Sequence, residues 1–279
     1  TLKNGNDLCV WDVKGAFLQA PMKAKEEVYV RLAPHVASMF VSLNDVWTKF
    51  LRKDGSMMVV CDRAWYGTAA ASSLWNADIT ETLIGLCGYV QHSMAACLFY
   101  KHIDGITCFI LLHVDDLGVS FPPGGVERDR VCKILEDKYG ILKKKSGESV
   151  VYVGLEISSG PHPSTFRVGM CDRIEKFAKD NRIGEHTKSV LSPAKNVATF
   201  NCPSEKQCAD LLDAADTTKY RSAVMTMNYI TIVQPCIKFY VAWLATRQSA
   251  PSVSDWEKAV HLMTYLYGVR HECVVIGAM

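Results

Sequence analysis

The chain has 279 residues, of which 49% are hydrophobic and 22% are charged, and its formal net charge is +2. This composition is typical of a globular protein that is long enough to bury a sizeable core, in one large domain or in two subdomains. The small net charge excludes a basic field over the whole molecule, so nucleic acid would have to bind a local basic patch.

The first half of the chain alternates strand patterns and helix patterns. Strands are predicted where apolar and polar residues alternate or where a short apolar run ends at turn residues, and helices where apolar residues recur at helical spacing. The predicted strands are 7–17 (running into a turn or helix start), 26–34, 57–67, 97–101 and 106–114, and the predicted helices are 69–86 and 126–140. Residues 36–56 are polar and are predicted to be irregular, with a turn at 53–55.

The second half begins with strands and becomes helical. Residues 150–159 and 164–170 are predicted to pair as strands. After about residue 170 the periodicity predicts helices over 171–184, 217–232, 236–249 and 253–270. The chain is therefore mixed α/β in its first part and mostly helical in its last hundred or so residues, with no internal repeat.

Eleven cysteines are spread along the chain, and their spacings match neither Cys-x-x-Cys nor a Cys/His zinc motif. We therefore predict reduced, mostly buried thiols of an intracellular protein, with Cys97, Cys108 and Cys236 lying in apolar runs. No run of 18 uninterrupted apolar residues is present, so no membrane partner is predicted. The cytoplasm, the nucleus and a virus-like particle are all compatible locations. Because the sequence begins at Thr1 beside a strand pattern, we expect an excerpt of something longer.

Two adjacent aspartates, Asp115 and Asp116, interrupt the apolar stretch FILLHVDDLGVSF, residues 109–121. An ordinary turn is one explanation, because Asp side chains bond nearby backbone amides. The apolar flanks favour another, since unpaired charge near a core is costly and like charges repel unless a cation lies between them. Asp12 ends another apolar strand, so the three carboxylates fit a site for two Mg²⁺ ions, which oxygen ligands hold about 3.5–4 Å apart.

Eight motifs occur in the order found in copia-type LTR-retrotransposon reverse transcriptases, and the chain resembles that family over nearly its whole length. The motifs are DVKGAFLQAPM (12–22), AWYGTAAASSLW (64–75), ACLFYK (96–101), HVDDLGVS (113–120), YVGLEI (152–157), YRSAVMTMNYIT (220–231), FYVAWLATRQSAP (239–251) and WEKAVHLMTYLYGVRH (256–271). The resemblance implies an RNA-directed DNA polymerase that extends a primer 3′-hydroxyl with two Mg²⁺ ions, for which Mn²⁺ can substitute. Its partners would be an RNA or DNA template-primer and deoxynucleoside triphosphates.

The resemblance also implies roles for individual residues. Asp12, Asp115 and Asp116 match the catalytic, metal-binding carboxylates, and the backbone carbonyl of Val13 would be a further ligand. Phe17 matches the aromatic residue that excludes a ribose 2′-hydroxyl, although a plain core phenylalanine is the alternative. Lys14 and Ala16 fall in the same nucleotide-binding motif. The residues implied in primer contact are His113, Val153, Gly154 and Leu155. The basic run Lys143, Lys144 and Lys145 is by its charge a further candidate for nucleic-acid contact. For these the alternatives are a structural histidine, an ordinary strand glycine and a solvated lysine loop.

The chain also departs from the family pattern. Where the family carries a Lys or Arg and a Gln that contact the incoming nucleotide, this chain has Thr68, Ala69 and Ala70. Most of the fingers region, with its triphosphate-holding basic residues, and the RNase H domain are expected to be absent, unless other chains of a polyprotein or assembly supply fingers. A palm without a phosphate clamp should be a weak enzyme, because catalysis depends on electrostatic stabilisation of the phosphates. A basic cluster for template-primer binding is predicted near residue 170: Arg167, Arg173, Lys176, Lys179 and Arg182.

The predicted fold is α+β. Residues 1–169 would form a right-hand polymerase palm, an antiparallel sheet backed by helices 126–140 and 71–86, with a remnant of the fingers. Residues 170–279 would form an α-helical thumb or connection region. The predicted function is the polymerase core, and the alternative is a weak or inactive domesticated relic that acts as a structural or interaction subunit. A generic nucleotide-binding α/β protein is disfavoured by the lack of a Gly-rich phosphate loop.

Overall fold

The computed structural model describes residues 7–22, 28–122, 124–162, 165–195 and 210–277. The chain divides into two compact units at the Gly147–Glu148 junction, and each unit has its own hydrophobic core. The sequence places the change to helical structure near residue 170, whereas the strands between 149 and 169 belong to the second unit. The assignment of a palm and a thumb stays a prediction.

The first unit is built on a six-stranded antiparallel sheet in the order β4-β5-β6-β7-β1-β8, with β2 and β3 paired as a separate hairpin. Its strands are β1 (Asp7–Asp12), β2 (Tyr29–Leu32), β3 (Met57–Val60), β4 (Val90–His92), β5 (Ala95–Ile103), β6 (Ile106–His113), β7 (Asp116–Phe121) and β8 (Lys143–Ser146). Its helices are α1 (Ala16–Gln19), α2 (Pro34–Leu43), α3 (Ala71–Glu81) and α4 (Val126–Tyr139). A 3₁₀ turn (Asp45–Phe50) follows α2, and a π turn (Thr82–Leu86) follows α3.

Side-chain alternation along the central strands gives the sheet two different faces. On β1 the buried residues Cys9 and Trp11 belong to the core that α3 and α4 also line, for example through Trp75 and Leu135. Asp12 follows Trp11, so its side chain points to the opposite face, because successive residues of a strand alternate. The predicted backing of the sheet by the two helices is confirmed, and it leaves Asp12 on the face away from them.

Local turn chemistry accounts for the β5–β6 hairpin of this sheet. β5 and β6 pair antiparallel and are joined by Asp104 and Gly105, which both have positive φ. An Asp-Gly pair is a favoured two-residue connection because both positions tolerate the left-handed region. The hairpin predicted from the sequence is confirmed.

The prediction of an irregular segment over residues 36–56 is wrong. Pro34 occupies the first turn of α2, where its fixed φ suits a helix start, and the 3₁₀ turn follows at once. Only Ala37 is buried in α2, and large apolar side chains such as Leu43 are exposed. Because the helix lacks a buried stripe, hydrophobic periodicity did not reveal it.

In its described residues, the second unit combines a four-stranded antiparallel sheet, in the order β12-β11-β10-β9, with four α-helices and a 3₁₀ turn (Pro235–Ile237). Its strands are β9 (Ser149–Tyr152), β10 (Leu155–Ser159), β11 (Thr165–Gly169) and β12 (Val274–Gly277), and its helices are α5 (Cys171–Asp180), α6 (Ala214–Ile230), α7 (Lys238–Ala245) and α8 (Val253–Gly268). Residues 150–159 are two strands rather than one, because Val153 and Gly154 form a turn with positive φ. β12 was not predicted; it pairs with β11 more than a hundred residues earlier.

The cysteines are free thiols wherever the structure describes them, in agreement with the prediction of a reduced protein. Cys9, Cys87, Cys108 and Cys132 are buried. Cys97 and Cys236 are exposed although they lie in apolar runs, because their strand and turn positions face outward. Cys202 and Cys208 lie outside the described residues. In the described ranges, none of the helices combines the length and the apolar character that a membrane crossing requires.

Candidate active site

The strand register brings Asp12 and Asp116 side by side. β1 and β7 are antiparallel neighbours, and Asp12 lies directly opposite Asp116. Residues paired in this way point to the same face of the sheet, with Cβ atoms about 4.5–5.5 Å apart. Like charges in directly opposite positions destabilise a sheet. The pair therefore does not serve folding, which makes it a candidate for a functional role.

This pair is the centre of a row that crosses four adjacent strands. His113 on β6 lies opposite Asp116, and Lys143 on β8 lies opposite Asp12. We call His113, Asp116, Asp12 and Lys143 the aspartate row. Lys145 lies opposite Val10, one same-face position further along β8. The row thus places two carboxylates between a histidine and a lysine, on the face away from α3 and α4.

Lys144, the middle residue of the lysine triplet, lies on the other face. It is opposite Trp11 in the register, its Nζ is 2.8 Å from Glu136 Oε1 of α4, and it donates to Cys132 Sγ at 3.1 Å. The triplet therefore forms a strand in which Lys143 and Lys145 lie on the side of the aspartates while Lys144 holds β8 to α4.

The third carboxylate, Asp115, lies in the turn between β6 and β7. Val114 before it has φ +56°, a conformation that is strained for a β-branched residue. Two hydrogen bonds hold this turn: Trp75 Nε1 donates to the Val114 carbonyl at 2.5 Å, and Val13 N donates to the Asp115 carbonyl at 3.0 Å. The turn is thereby tied both to α3 and to the end of β1 that carries Asp12.

The surroundings of Asp116 disfavour the ionised form of its carboxyl group. Partial burial raises the pKa of this carboxyl, and the neighbouring charges of Asp115 and Asp12 raise it further, against the opposing effect of Lys145 and His113. Desolvation and like charges both disfavour the ionised form. A divalent cation beside these carboxylates would remove that penalty.

The donor set suits magnesium, which prefers carboxylate and carbonyl oxygens. Asp12, Asp115, Asp116 and the Val13 carbonyl are all oxygen donors. Among the described residues, however, Asp12, Asp115 and Asp116 do not each place a carboxylate oxygen within 4.8 Å of the other two. Like charges repel one another unless a cation lies between them.

The segment after β1 carries the residues expected to contact a nucleotide. Lys14 is exposed in the turn, and Gly15 takes φ +64° before α1. Ala16 is 2% exposed and belongs to the core. Phe17 is partly buried, and its ring centroid lies 5.0 Å from that of Tyr66. The structure thus brings Phe17 next to the motif at 64–75, and it is consistent with both a core role and a nucleotide-facing role.

The polar contacts missing from the 64–75 motif are not replaced locally. The Thr68 hydroxyl donates to the Trp65 carbonyl at 2.8 Å, closing its own turn. Ala69 and Ala70 complete the turn that leads into α3. Trp65 and Tyr66 are half-exposed, so this turn presents aromatic rather than cationic side chains.

Val153, Gly154 and Leu155 belong to the second unit, where they join β9 to β10. Val153 has φ +49° and Gly154 has φ +76°, and the Tyr229 hydroxyl donates to the Val153 carbonyl. Arg173 stacks on the Tyr229 ring at 4.5 Å, and a Cβ on Gly154 would lie 3.0 Å from its Nη1. Leu155 packs against the core of this unit. A glycine is required here both for its φ and for the close approach of the arginine.

Sequence reasoning missed three aromatic residues that hold the two turns and the nucleotide segment: Trp75, Tyr66 and Tyr229. A buried Trp or Tyr usually finds a partner for its N–H or O–H, so Trp75 in an apolar helix was a signal that its indole bonds something nearby. Which carbonyl it bonds depends on tertiary packing.

The basic residues Lys176, Lys179 and Arg182 are exposed on and after α5, as expected of a solvated cluster.

Comparison with known proteins supports the resemblance seen in the sequence. The chain is 23% identical over 271 residues to the retrovirus-related Pol polyprotein from transposon RE1 of Arabidopsis thaliana, covering 95% of this chain and 16% of the relative. The corresponding protein of transposon RE2 is also 23% identical, over 262 residues, covering 92% of this chain and 16% of the relative. The chain is thus similar in sequence, at low identity, to two transposon Pol polyproteins. No family model matches it.

The chain spans about a sixth of the length of those two proteins. Among solved structures, it is similar to a foamy viral protease-reverse transcriptase in complex with an RNA/DNA hybrid. That similarity has a TM-score of 0.45 at 12% identity and covers 94% of this chain and 27% of the viral chain.

Proposed function

We propose that the chain is the catalytic core of an RNA-directed DNA polymerase of the copia type, which extends a primer 3′-hydroxyl on an RNA or DNA template. The observation that carries this proposal is the pairing of Asp12 with Asp116 across β1 and β7, with Asp115 in the adjoining turn. Two carboxylates paired on the helix-free face, with a third in the turn beside them, match the oxygen donors that a two-metal site uses. The relation to Pol polyproteins supports the same assignment.

Each group has a role in this proposal. Asp12, Asp115, Asp116 and the Val13 carbonyl would hold two Mg²⁺ ions, or Mn²⁺ in their place. When bound, such ions would supply the lowered pKa of the primer hydroxyl and the neutralisation of the leaving pyrophosphate. The hydrogen bonds from Trp75 and Val13 keep the Asp115 turn in place. Phe17 would limit the space at the sugar 2′ position, with Lys14 and Ala16 in the same nucleotide segment.

Nucleic-acid contacts complete the proposal. Lys143, Lys145 and His113 flank the aspartates on the same face, where their charge or hydrogen bonding would hold phosphates without reading sequence. In the second unit, Val153, Gly154 and Leu155 would contact the primer. The exposed lysines of α5, Lys176 and Lys179, would contact the template-primer backbone. In this interpretation the sheet with α3 and α4 is the palm, and the helices of the second unit form the thumb.

A domesticated relic is the second candidate. Thr68, Ala69 and Ala70 leave the segment beside Phe17 without the cationic and amide contacts expected for an incoming nucleotide. A chain of this kind would keep the carboxylates but serve as a structural or interaction subunit of a larger assembly. Nucleotide incorporation separates the two candidates.

Primer extension on an RNA template with Mg²⁺ tests the proposal. The wild-type chain should incorporate deoxynucleotides, and the Asp115→Asn/Asp116→Asn variant should lose at least a hundredfold of the rate, because it removes two of three metal carboxylates. Asp62→Asn, at an exposed aspartate of the same unit, is the matched control and should keep the wild-type rate. Equal incorporation by the wild type and the double variant, or none by either, would reject the polymerase and favour the relic.

A further inference from the structure

Three side chains from distant parts of the sequence meet in the second unit, outside the proposed active site. Cys171 begins α5, Glu175 lies one helical turn later, and His271 follows α8. Cys171 Sγ is 3.2 Å from His271 Nδ1 and 3.9 Å from Glu175 Oε1. One possible ligand atom from each of the three lies within 4.8 Å of the other two. Among the residues that the structure describes, they are the group of three His, Cys, Asp or Glu side chains close enough together to hold a metal ion.

We propose that Cys171, Glu175 and His271 bind a Zn²⁺ ion. The spacing fits, because a tetrahedral zinc ion holds sulfur at about 2.3 Å and nitrogen or oxygen at about 2.0–2.2 Å, which places neighbouring ligand atoms about 3.3–3.6 Å apart. The two distances in the cluster bracket that range. Small side-chain rotations therefore suffice to bring the three atoms around one ion.

The donor set selects zinc over magnesium. A thiolate sulfur and an imidazole nitrogen are ligands that Zn²⁺ accepts readily, whereas Mg²⁺ prefers oxygen donors alone. This separates the cluster from the aspartate row, whose donors are all oxygen. The two sites should therefore respond to different ions, and the zinc site is independent of the proposed polymerase activity.

Neighbouring groups hold the ligands in position. Arg270 Nε donates to Glu175 Oε1 at 2.9 Å, and the Arg270 guanidinium stacks on Tyr267 at 4.2 Å. The oxygen that accepts from Arg270 is the one 3.9 Å from Cys171 Sγ; a carboxylate has about four lone-pair sites on its two oxygens, so the ion pair orients Glu175 and leaves capacity for a cation. Cys171 and His271 also line a cleft with Glu156 and Cys273. The cleft is open to solvent, so water can complete the coordination.

A reactive cysteine–histidine pair is the competing explanation, and the surroundings disfavour it. Nucleophilic cysteines occur in electropositive surroundings that lower the thiol pKa. Here burial, followed by the charges of Glu175 and Glu156, raises the pKa of the Cys171 thiol. When zinc binds, a Zn–S bond forms with the sulfur lone pair and the thiol proton passes to solvent. His271 binds through the lone pair of Nδ1 and keeps its proton on Nε2.

Bound zinc would connect the start of α5 to the segment between α8 and β12. Cys171 and His271 are 100 residues apart in the chain, so one ion would hold together elements that the backbone does not link directly. An ion that binds only the folded chain stabilises it, and the gain rises with the logarithm of the free ion concentration once that concentration exceeds the dissociation constant. The expected consequence is a second unit whose stability depends on zinc.

Zinc titration of the full chain, stripped with a chelator and kept reduced, tests the proposal. Competition with a chromophoric chelator should give a zinc dissociation constant in the micromolar range or tighter, with one ion bound at this site. Cys171→Ser and His271→Gln should each weaken that binding at least tenfold. The matched controls are Cys97→Ser, at an exposed cysteine of the first unit, and His186→Gln, at an exposed histidine of the second; both should bind as the wild type does.

Cobalt gives a second readout that identifies the ligands. Co²⁺ added to the stripped chain should produce a thiolate-to-metal absorption band that Cys171→Ser loses and Cys97→Ser keeps. Far-ultraviolet circular dichroism checks that each variant is folded, and Glu175→Gln replaces any variant that is not. The proposal fails if the wild type binds no zinc, or if folded Cys171→Ser and His271→Gln bind it as tightly as their controls.

Discussion

At the scale of single residues, the aspartate row keeps an arrangement that folding alone disfavours. Asp12 and Asp116 face each other across two strands, and the residue before the Asp115 turn, Val114, has positive φ. Like charges in opposite positions and a β-branched residue in the left-handed region each cost stability. Such costs are common at functional sites, where ligand binding offsets them.

Neutralising one carboxylate should therefore stabilise the chain. The raised pKa of Asp116 means that the folded state favours the protonated carboxyl, so the penalty is absent well below the ordinary Asp pKa of about 3.9 and grows as pH rises through the folded-state pKa. Asp116→Asn should raise the free energy of unfolding at pH 7 by about 0.2–1 kcal/mol, the size of a cross-strand charge pair.

Thermal unfolding without divalent ions, from pH 7 down to about pH 3, measures this effect. The melting temperature of Asp116→Asn should exceed that of the wild type at pH 7, and the difference should shrink as the pH falls. Asp62→Asn is the control and should show no such trend. A difference that stays constant with pH, or that favours the wild type at pH 7, would contradict the explanation by charge.

At the scale of elements, the two hairpin turns depend on tertiary hydrogen bonds to aromatic side chains. Trp75 of α3 bonds the Val114 carbonyl in the β6–β7 turn, and Tyr229 of α6 bonds the Val153 carbonyl in the β9–β10 turn. Both turns contain a valine with positive φ. The surrounding packing therefore holds conformations that the local sequence does not favour.

Removing the Trp75 indole N–H should weaken the first unit. Trp75→Phe keeps most of the buried ring but leaves the Val114 carbonyl without its donor, which should cost about 1–3 kcal/mol. Denaturant unfolding measures the loss. Trp47→Phe, on the 3₁₀ turn of the same unit and 36% exposed, should cost about 0.5 kcal/mol or less. Equal costs for the two variants would show that the hydrogen bond does not hold the turn.

Relieving the strain at Val153 should stabilise the second unit. Asn tolerates the left-handed region better than a β-branched residue, for which that region costs about 1–2 kcal/mol. After the loss of some apolar contact, Val153→Asn should gain about 0.5–1 kcal/mol in the free energy of unfolding. Val151→Asn, at an exposed and extended position of β9, should be neutral or destabilising. If both variants destabilise equally, the backbone at residue 153 is not strained.

Local signals revealed most of the elements that position the site. The Asp-Gly turn, the amphipathic pattern of α4 and the apolar strands around Asp12 and Asp115 depend on neighbours in the sequence. α2 and β12 were missed because one lacks a buried stripe and the other is defined by its pairing with β11. The separation of Lys144 from Lys143 and Lys145 follows from strand alternation, which becomes visible once the triplet is known to be a strand.

At the scale of the whole molecule, the chain consists of two units with separate cores and two candidate cation sites of different chemistry. The first unit carries the oxygen donors of the aspartate row, and the second carries the mixed donors around Cys171. The aspartates could be found from the sequence because charged residues stand out in apolar strands. The Cys171 cluster could not, because its members are brought together only by the packing of α5 beside α8.

The central claim is that Asp12 and Asp116 belong to one magnesium site, and magnesium binding to the purified chain tests it most directly. Titration calorimetry at pH 7 with the wild type should detect Mg²⁺ binding, and the ion should raise the melting temperature, because it binds only the folded state. Asp12→Asn should weaken the affinity at least tenfold, whereas Asp62→Asn should leave it unchanged. Wild-type affinity in Asp12→Asn would contradict the claim.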